Sequence, residues 1–276
     1  MAKRRPLILF TNDDGVRSPG LLAQVSAFVD IADILVVAPE KQQSGTGRSL
    51  PSTSTGEVTE HSYMIDGVAH TFYGVDGTPA QAVQQAVLEI AKRRPALVVS
   101  GINYGENCGN GVTISGTVGA ALEAASLGIP AIAVSQQTPK NLHLSYSTEI
   151  DFSVTAAFAR RFGMWMMRTN GRASERDIDI LKVDAPMSVT PDTPWRMTRL
   201  SRTRVYWPAK RDKAARIKNP LGYYEGDTSR AEPDSDVYAV FQDKVVSVTP
   251  MSLDMTSRID IEALRGMIEE EKTIAR

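Results

Sequence analysis

The stretch Leu7-Ile8-Leu9-Phe10-Thr11-Asn12-Asp13-Asp14-Gly15 decides how this chain folds. Four apolar residues run without a break into turn-forming ones, as in a short strand buried on both faces of a parallel sheet. Two carboxylates, Asp13 and Asp14, stand where that strand ends. In open α/β sheets, ligands bind outside the carboxyl ends of the strands. Adjacent like charges repel, so holding both ionised calls for a nearby cation. An oxygen-rich pair of this kind suits Mg²⁺, Mn²⁺ or Ca²⁺. The expectation is a divalent-metal site at Asp13 and Asp14.

Working outward, residues 19–30 carry Leu21, Leu22, Val25, Phe28 and Val29 at helical spacing behind Pro19, which suits a first turn. Residues 34–38 read as a second buried strand, stopped by Pro39. Strand, helix and strand within roughly forty residues match a βαβ unit. The loop over 39–49 follows a strand end and belongs on the same edge as Asp13. There Gly45 and Gly47 permit close backbone approach, Ser44 offers a hydroxyl, and Arg48 offers a planar donor fork for an anion. Such a loop alone is usually only a loop; its position makes it a candidate.

Residues 51–74 are broken in pattern, with a small antiparallel hairpin expected from 63–65 and 71–73 around Asp66-Gly67. His61 and His70 receive no role. Thr78 and Pro79 suit the N-cap and first position of a helix running to Ala91. Residues 96–100 form the third core strand and feed a polar loop over 101–107. Asn103 can give a carboxamide oxygen to a cation there and Asn107 can bind substrate, although both can equally cap turns. An Ala/Leu-rich helix then ends at Gly128. Ser115, Gly116 and Thr117 at its start supply hydroxyls and free N–H groups, an anion site for which phosphate is the natural guest. An ordinary N-cap accounts for the same residues locally. Strands at 131–134 and 179–183, with a long helix over 149–169 between them, complete a doubly wound sheet.

After Pro186 the character changes. Pro191, Pro194, Pro208 and Pro220 interrupt any pattern, and residues 202–218 hold seven Lys/Arg against Asp212 alone. That segment reads as a solvated excursion or a flap near an anionic substrate, with nucleic-acid binding as a lesser alternative. Tyr206-Trp207 and Tyr223-Tyr224 would anchor it by packing or a subunit contact. Residues 244–249 read as a further strand and 259–274 as an amphipathic helix. The predicted division is a catalytic core over 1–186 and a protrusion and oligomerisation segment over 187–276.

The composition bounds the function classes. Net charge is −1, from 31 basic and 32 acidic residues, which offers no whole-protein grip on nucleic acid. A single cysteine, Cys108, excludes an intrachain disulfide and is compatible with a reducing cytoplasm. The basic residues 1–5 lead into an apolar run too short for a signal-peptide core. A soluble, cytoplasmic protein without membrane partners is expected.

Taken in order, the loops resemble those of the SurE family, the stationary-phase survival proteins. The matching pieces are TNDDG at 11–15, APEKQQSGTG at 38–47, DGTPA at 76–80, SGINYGEN at 100–107 and SGTVGAALEAASLGIPAIAVS at 115–135, with a weaker echo in DSDVYAV and VSVTPMSLD. LKVDAP at 181–186 stands where an LNVP-like strand end is common, the TRQG-like pattern is absent around 198–204, and Ala82 replaces a common cysteine. The resemblance implies a Rossmann-like, three-layer core with a β-rich C-terminal protrusion and a C-terminal helix exchanged between subunits of a homodimer or homotetramer. It implies a metal-dependent phosphatase acting on nucleoside 5′- and 3′-monophosphates, and in some members on polyphosphate. It further implies one divalent ion per subunit, Mg²⁺ or Mn²⁺ with Ca²⁺ as a possible occupant, at Asp13, Asp14, Ser44 and Asn103.

Phosphoester hydrolysis needs charge stabilisation and an in-line nucleophile. On this reading Asn12, Gly45, Asn107, Ser115, Gly116 and Thr117 hold the phosphate oxygens that the metal does not. Asp13 and Asp14 are the catalytic candidates. The nucleophile is a water oriented by Asp13, or Asp13 itself through an aspartyl-phosphate; water is preferred, because a carboxylate committed to a metal is a poorer nucleophile. A non-catalytic nucleotide-binding module on the same fold is the alternative.

Overall fold

In the computed structural model, which describes residues 4–169, 177–210 and 222–274, β1 (Leu7–Thr11) lies inside a nine-stranded sheet. The other strands are β2 (Asp33–Pro39), β3 (Val58–Ile65), β4 (Val68–Val75), β5 (Leu97–Tyr104), β6 (Ala131–Gln136), β7 (Ile180–Ala185), β8 (Trp195–Met197) and β11 (Val246–Met251). Their order across the sheet is β3-β4-β2-β1-β5-β6-β7-β11-β8. From β4 to β7 every pairing is parallel. β3 and β11 are antiparallel to their neighbours β4 and β7. β9 (Tyr206–Ala209) and β10 (Gly222–Glu225) make a separate antiparallel ribbon.

Burial follows the sequence logic. Ile8 and Phe10 face a core shared with Leu21, Val25, Phe28, Phe158 and Met166, whereas Leu9 faces a second core with Val83, Val118 and Ala121. The first face is covered by α1 (Pro19–Ser26) and α4 (Ser153–Arg168), the second by α2 (Pro79–Gln85) and α3 (Gly116–Ser126). Three layers result, and a strand covered on both faces must be apolar throughout. From β1 the chain moves to β2 on one side and later to β5 on the other. The carboxyl end of β1 is therefore a topological switch point, where α/β sheets open a crevice.

Several elements differ from the expectations. The hairpin is longer: β3 and β4 have eight residues each, and only Asp66-Gly67 connects them, both at positive φ (49° and 77°). That is the backbone a tight primed turn requires. β4 also pairs with β2, so the hairpin extends the main sheet and β5 is not its third strand. β5 continues through Tyr104, past a register shift against β6 between Ser100 and Asn103, and Asn103 sits on strand rather than loop. α2 passes into a wider helical turn at Ala86–Ile90. Val237 to Val240, to which the sequence reading assigns no element, lie in a helix, α5 (Asp236–Phe241), which Ser235 caps by accepting the Tyr238 N–H. β11 then returns to the sheet between β7 and β8. The C-terminal helix α6 spans Ile261–Ile274. Of the basic segment, Arg211, Lys213, Arg216 and Lys218 lie outside the described residues. Among the described residues no helix is long and apolar enough to cross a membrane.

Candidate active site

Asp13 and Asp14 leave β1 at the switch point, 4% and 1% exposed. Asp13 rests on the start of α3. The Thr117 hydroxyl donates to its Oδ1, and the backbone N–H groups of Gly116 and Thr117 also donate to the carboxylate. The fit is tight: a Cβ on Gly116 would stand 2.7 Å from the Asp13 Cβ. Asp14 Oδ2 accepts the Tyr104 N–H at 3.1 Å, and its Oδ1 accepts the Gln42 amide at 3.1 Å. That amide also donates to the His143 carbonyl at 2.8 Å, tying the carboxylate to the 140–148 loop. Burial raises the Asp13 carboxyl above the usual range against those hydrogen bonds. Burial first, then the Asp13 charge, pushes Asp14 well up. An ionised pair here demands a cation.

The helix start thus serves the carboxylate. Gly116 and Thr117 lie behind Asp13, and neither lines the adjoining cavity, although Ser115 does. The Ser115 hydroxyl accepts the Val118 N–H at 3.1 Å as an N-cap. Asn12 is turned inward as well: its amide donates to the Gly15 carbonyl at 3.0 Å and its oxygen accepts the Gly15 N–H at 3.1 Å. Arg48 is no anion fork. It pairs with buried Glu123 at 2.7 Å and with Ser126 Oγ at 2.7 Å, fastening its loop to α3.

A cavity of about 690 Å³ opens beside Asp13, and Ser44, Gly45, Asn103, Asn107 and Ser115 line it. The Asn103 amide donates to the Gly105 carbonyl at 2.7 Å, which leaves its oxygen end as the acceptor. Asn107 Nδ2 donates to Ser135 Oγ at 2.8 Å. Loops from β1, β2 and β5 and the start of α3 therefore converge on one space. Asp14 stands behind the lining.

Other lining residues escaped the sequence reading. Tyr206 and Tyr223 from the ribbon, with His143, form an aromatic wall. Tyr206 stands edge-on to both other rings, and His143 Nδ1 lies 3.2 Å from the Tyr223 hydroxyl. Burial lowers the His143 pKa, favouring the neutral ring. Tyr206 donates to Glu106 Oε1, and burial pushes the Glu106 carboxyl up to about 7. The aromatic pairs 206–207 and 223–224 are a visible signal in the sequence; in the ribbon Trp207 stands opposite Tyr224, while the Tyr206 and Tyr223 rings meet diagonally. His143 had none, being a lone histidine in a polar loop.

Among the described residues, no group of three or more His, Cys, Asp or Glu side chains is arranged to hold a metal ion. The donors gathered here are two carboxylates, the Ser44 hydroxyl and the Asn103 carboxamide oxygen. An all-oxygen set with a buried, mutually repelling acidic pair fits a hard divalent cation.

Fold and geometry define a doubly wound α/β protein with a buried acidic pair and an adjoining cavity at its switch point. The family model described as survival protein SurE matches residues 8–206. Curated relatives named 5′-nucleotidase SurE are similar: that of Thermococcus gammatolerans is 38% identical, covering 95% of each chain. The one from Methanosarcina acetivorans is also 38% identical, covering 94% of this chain and 96% of its own. The solved SurE protein from Aquifex aeolicus superposes with a TM-score of 0.68 at 31% identity, covering 95% of this chain and 99% of that one. The chain belongs to the SurE family.

Proposed function

We propose that this chain is a 5′-nucleotidase, a phosphoric monoester hydrolase that releases phosphate from nucleoside monophosphates. The observation that carries the reading is one cavity, walled on one part by Asp13, Ser44, Asn103 and Asn107 and on another by Tyr206, Tyr223 and His143. At about 690 Å³ it falls within the size range of small-molecule sites and exceeds what a lone phosphate fills. The relatives' name, 5′-nucleotidase, supports the same reading.

Asp13, Asp14, Ser44 and Asn103 would hold a divalent ion, Mg²⁺ or Mn²⁺, which when bound supplies Lewis-acid stabilisation of charge on the phosphate. Asp13, fixed by Thr117 and the α3 backbone, orients a water in line with the ester bond and takes its proton. The water oxygen bonds to phosphorus as the ester P–O bond breaks; the departing nucleoside oxygen takes up a proton from solvent, and Asp13 returns the one it took to solvent. Gly45, Asn107 and Ser115 face the phosphate. Asn12, Gly116 and Thr117 act from behind by holding the Asp13-Asp14 turn. The aromatic wall takes the nucleoside. Nucleoside 3′-monophosphates and polyphosphate belong to the proposed substrate range, and the single cysteine suits a cytoplasmic setting.

The proposed assembly is a homodimer or homotetramer. Its support is the apolar face of α6, where Ile261, Leu264, Met267 and Ile268 are exposed among the described residues. The deciding experiment measures phosphate release from AMP with Mg²⁺ or Mn²⁺, and again with EDTA. Release that EDTA abolishes is expected. AMP binding without any release would instead support the non-catalytic module.

A further inference from the structure

Lys182 is a charged side chain in the middle of the sheet, 0% exposed, and the proposed chemistry makes no use of it. It lies on β7 two residues before Asp184, so both project from the same face of the strand. Its ammonium group pairs with Asp184 Oδ2 and stands 3.0 Å from Asp236 Oδ2; both aspartates are also 0% exposed. Burial opposes its charge, but the two aspartates outweigh burial and keep it protonated.

What the aspartates do with their remaining capacity is informative. Asp184 Oδ1 accepts the Asn107 N–H at 2.8 Å, and Asp236 Oδ2 accepts the Gly109 N–H at 3.0 Å. Asp236 Oδ1 accepts the Ser201 N–H at 2.9 Å. The stretch 107–109 lies beyond the end of β5; Asn107 and Cys108 line the cavity and Gly109 follows them, so the β5 ladder does not satisfy those amides. Two buried carboxylates supply the acceptors instead, and one buried ammonium holds them together against their repulsion.

We propose that Lys182 is a positioning residue: through Asp184 and Asp236 it sets the backbone of Asn107 and Gly109, and so the cavity wall that faces the phosphate. The functional consequence rests on the nucleotidase reading; the geometric one does not. Asp13, Asp14 and Ser44 come from other loops, and Asn103 is held separately by its pairing with Ser135 on β6, so the clamp acts on substrate binding rather than on the cation.

The test uses the full-length protein, steady-state kinetics with AMP, and amide hydrogen exchange at Asn107 and Gly109. Folded Lys182→Met is expected to show KM raised roughly tenfold with kcat near wild type, together with faster exchange at both amides. Lys182→Met/Asp184→Asn is expected to restore KM toward wild type, because the carboxamide still accepts the Asn107 N–H and one repelling charge is gone. If Lys182→Met does not fold, Asp184→Ala and Asp184→Asn decide: the first should raise KM and the second should not. Wild-type KM in folded Lys182→Met, or equal KM in the two Asp184 variants, overturns the clamp. If the wild-type chain releases no phosphate, the nucleotidase reading fails on its own. Unchanged exchange at Asn107 and Gly109 in Lys182→Met would then overturn the clamp separately.

Discussion

At the scale of single residues, the acidic pair is held by neighbours that differ in kind. Asp13 is bound by a helix start and a hydroxyl, and Asp14 by one backbone N–H and one side-chain amide. Asp14→Asn should abolish divalent-dependent phosphate release while leaving a cooperative thermal melt; full Mg²⁺-dependent activity in that variant would remove Asp14 from the site. Gly116→Ala would drive a methyl group into Asp13, at 2.7 Å from its Cβ. It should destabilise by about 1–3 kcal/mol, read by urea titration, and lower activity with it. Glu106 gives a pH dependence. Its carboxyl is raised from 4.5 to about 7 by burial, so between those values the folded state keeps a proton that the unfolded chain has lost. Its contribution to stability is complete below pH 4.5 and is lost as pH rises toward 7, on the order of 3 kcal/mol in all. Glu106→Gln should flatten the fall in unfolding free energy from pH 5 to pH 8; an unchanged slope would refute the assignment.

At the scale of elements, caps and turns set where the site loops begin. Thr78 and Gln81 form a reciprocal capping box at the start of α2, and the Thr78 hydroxyl also donates to the Ser49 carbonyl at 2.7 Å. The cap therefore anchors the far end of the Ser44 loop. Thr78→Ala should cost about 1 kcal/mol in a denaturant titration. Thr78 and Pro79 were legible as a helix start because capping is local chemistry. The end of β5 was not. Gly101 and Asn103 look like loop residues, yet pairing with β6 alongside carries the strand through Tyr104. Asp66-Gly67 was seen as a turn, but its tightness depended on how far β3 and β4 remain paired, which is a tertiary matter.

At the scale of the whole molecule, the carboxyl edge gathers residues from four stretches of sequence, and the ribbon of β9 and β10 adds an aromatic wall to the same cavity. α6 leaves exposed Ile261 (64%), Met267 (61%) and Ile268 (50%). An apolar face of that extent is the feature on which the proposed assembly rests. Deleting residues 256–276 should reduce the mass seen by light scattering to a smaller species while far-UV circular dichroism keeps its sheet signal. An unchanged mass would place the subunit contact elsewhere.

The sequence by itself determined the layered fold and the acidic half of the site. Strands buried on both faces are apolar runs, and loops at one edge carry their chemistry in short local motifs such as the one containing Asp13 and Asp14. Only the tertiary structure decided what each polar group faces. It turned Asn12 onto Gly15, Arg48 onto Glu123 and the α3 start onto Asp13, and it brought Glu106, His143, Tyr206 and Tyr223 together. The reason is range. Propensity and capping act within a few residues, whereas a donor's partner is set by whichever buried acceptor the packing brings within reach, as Asp236 is for Gly109, 127 residues away along the chain.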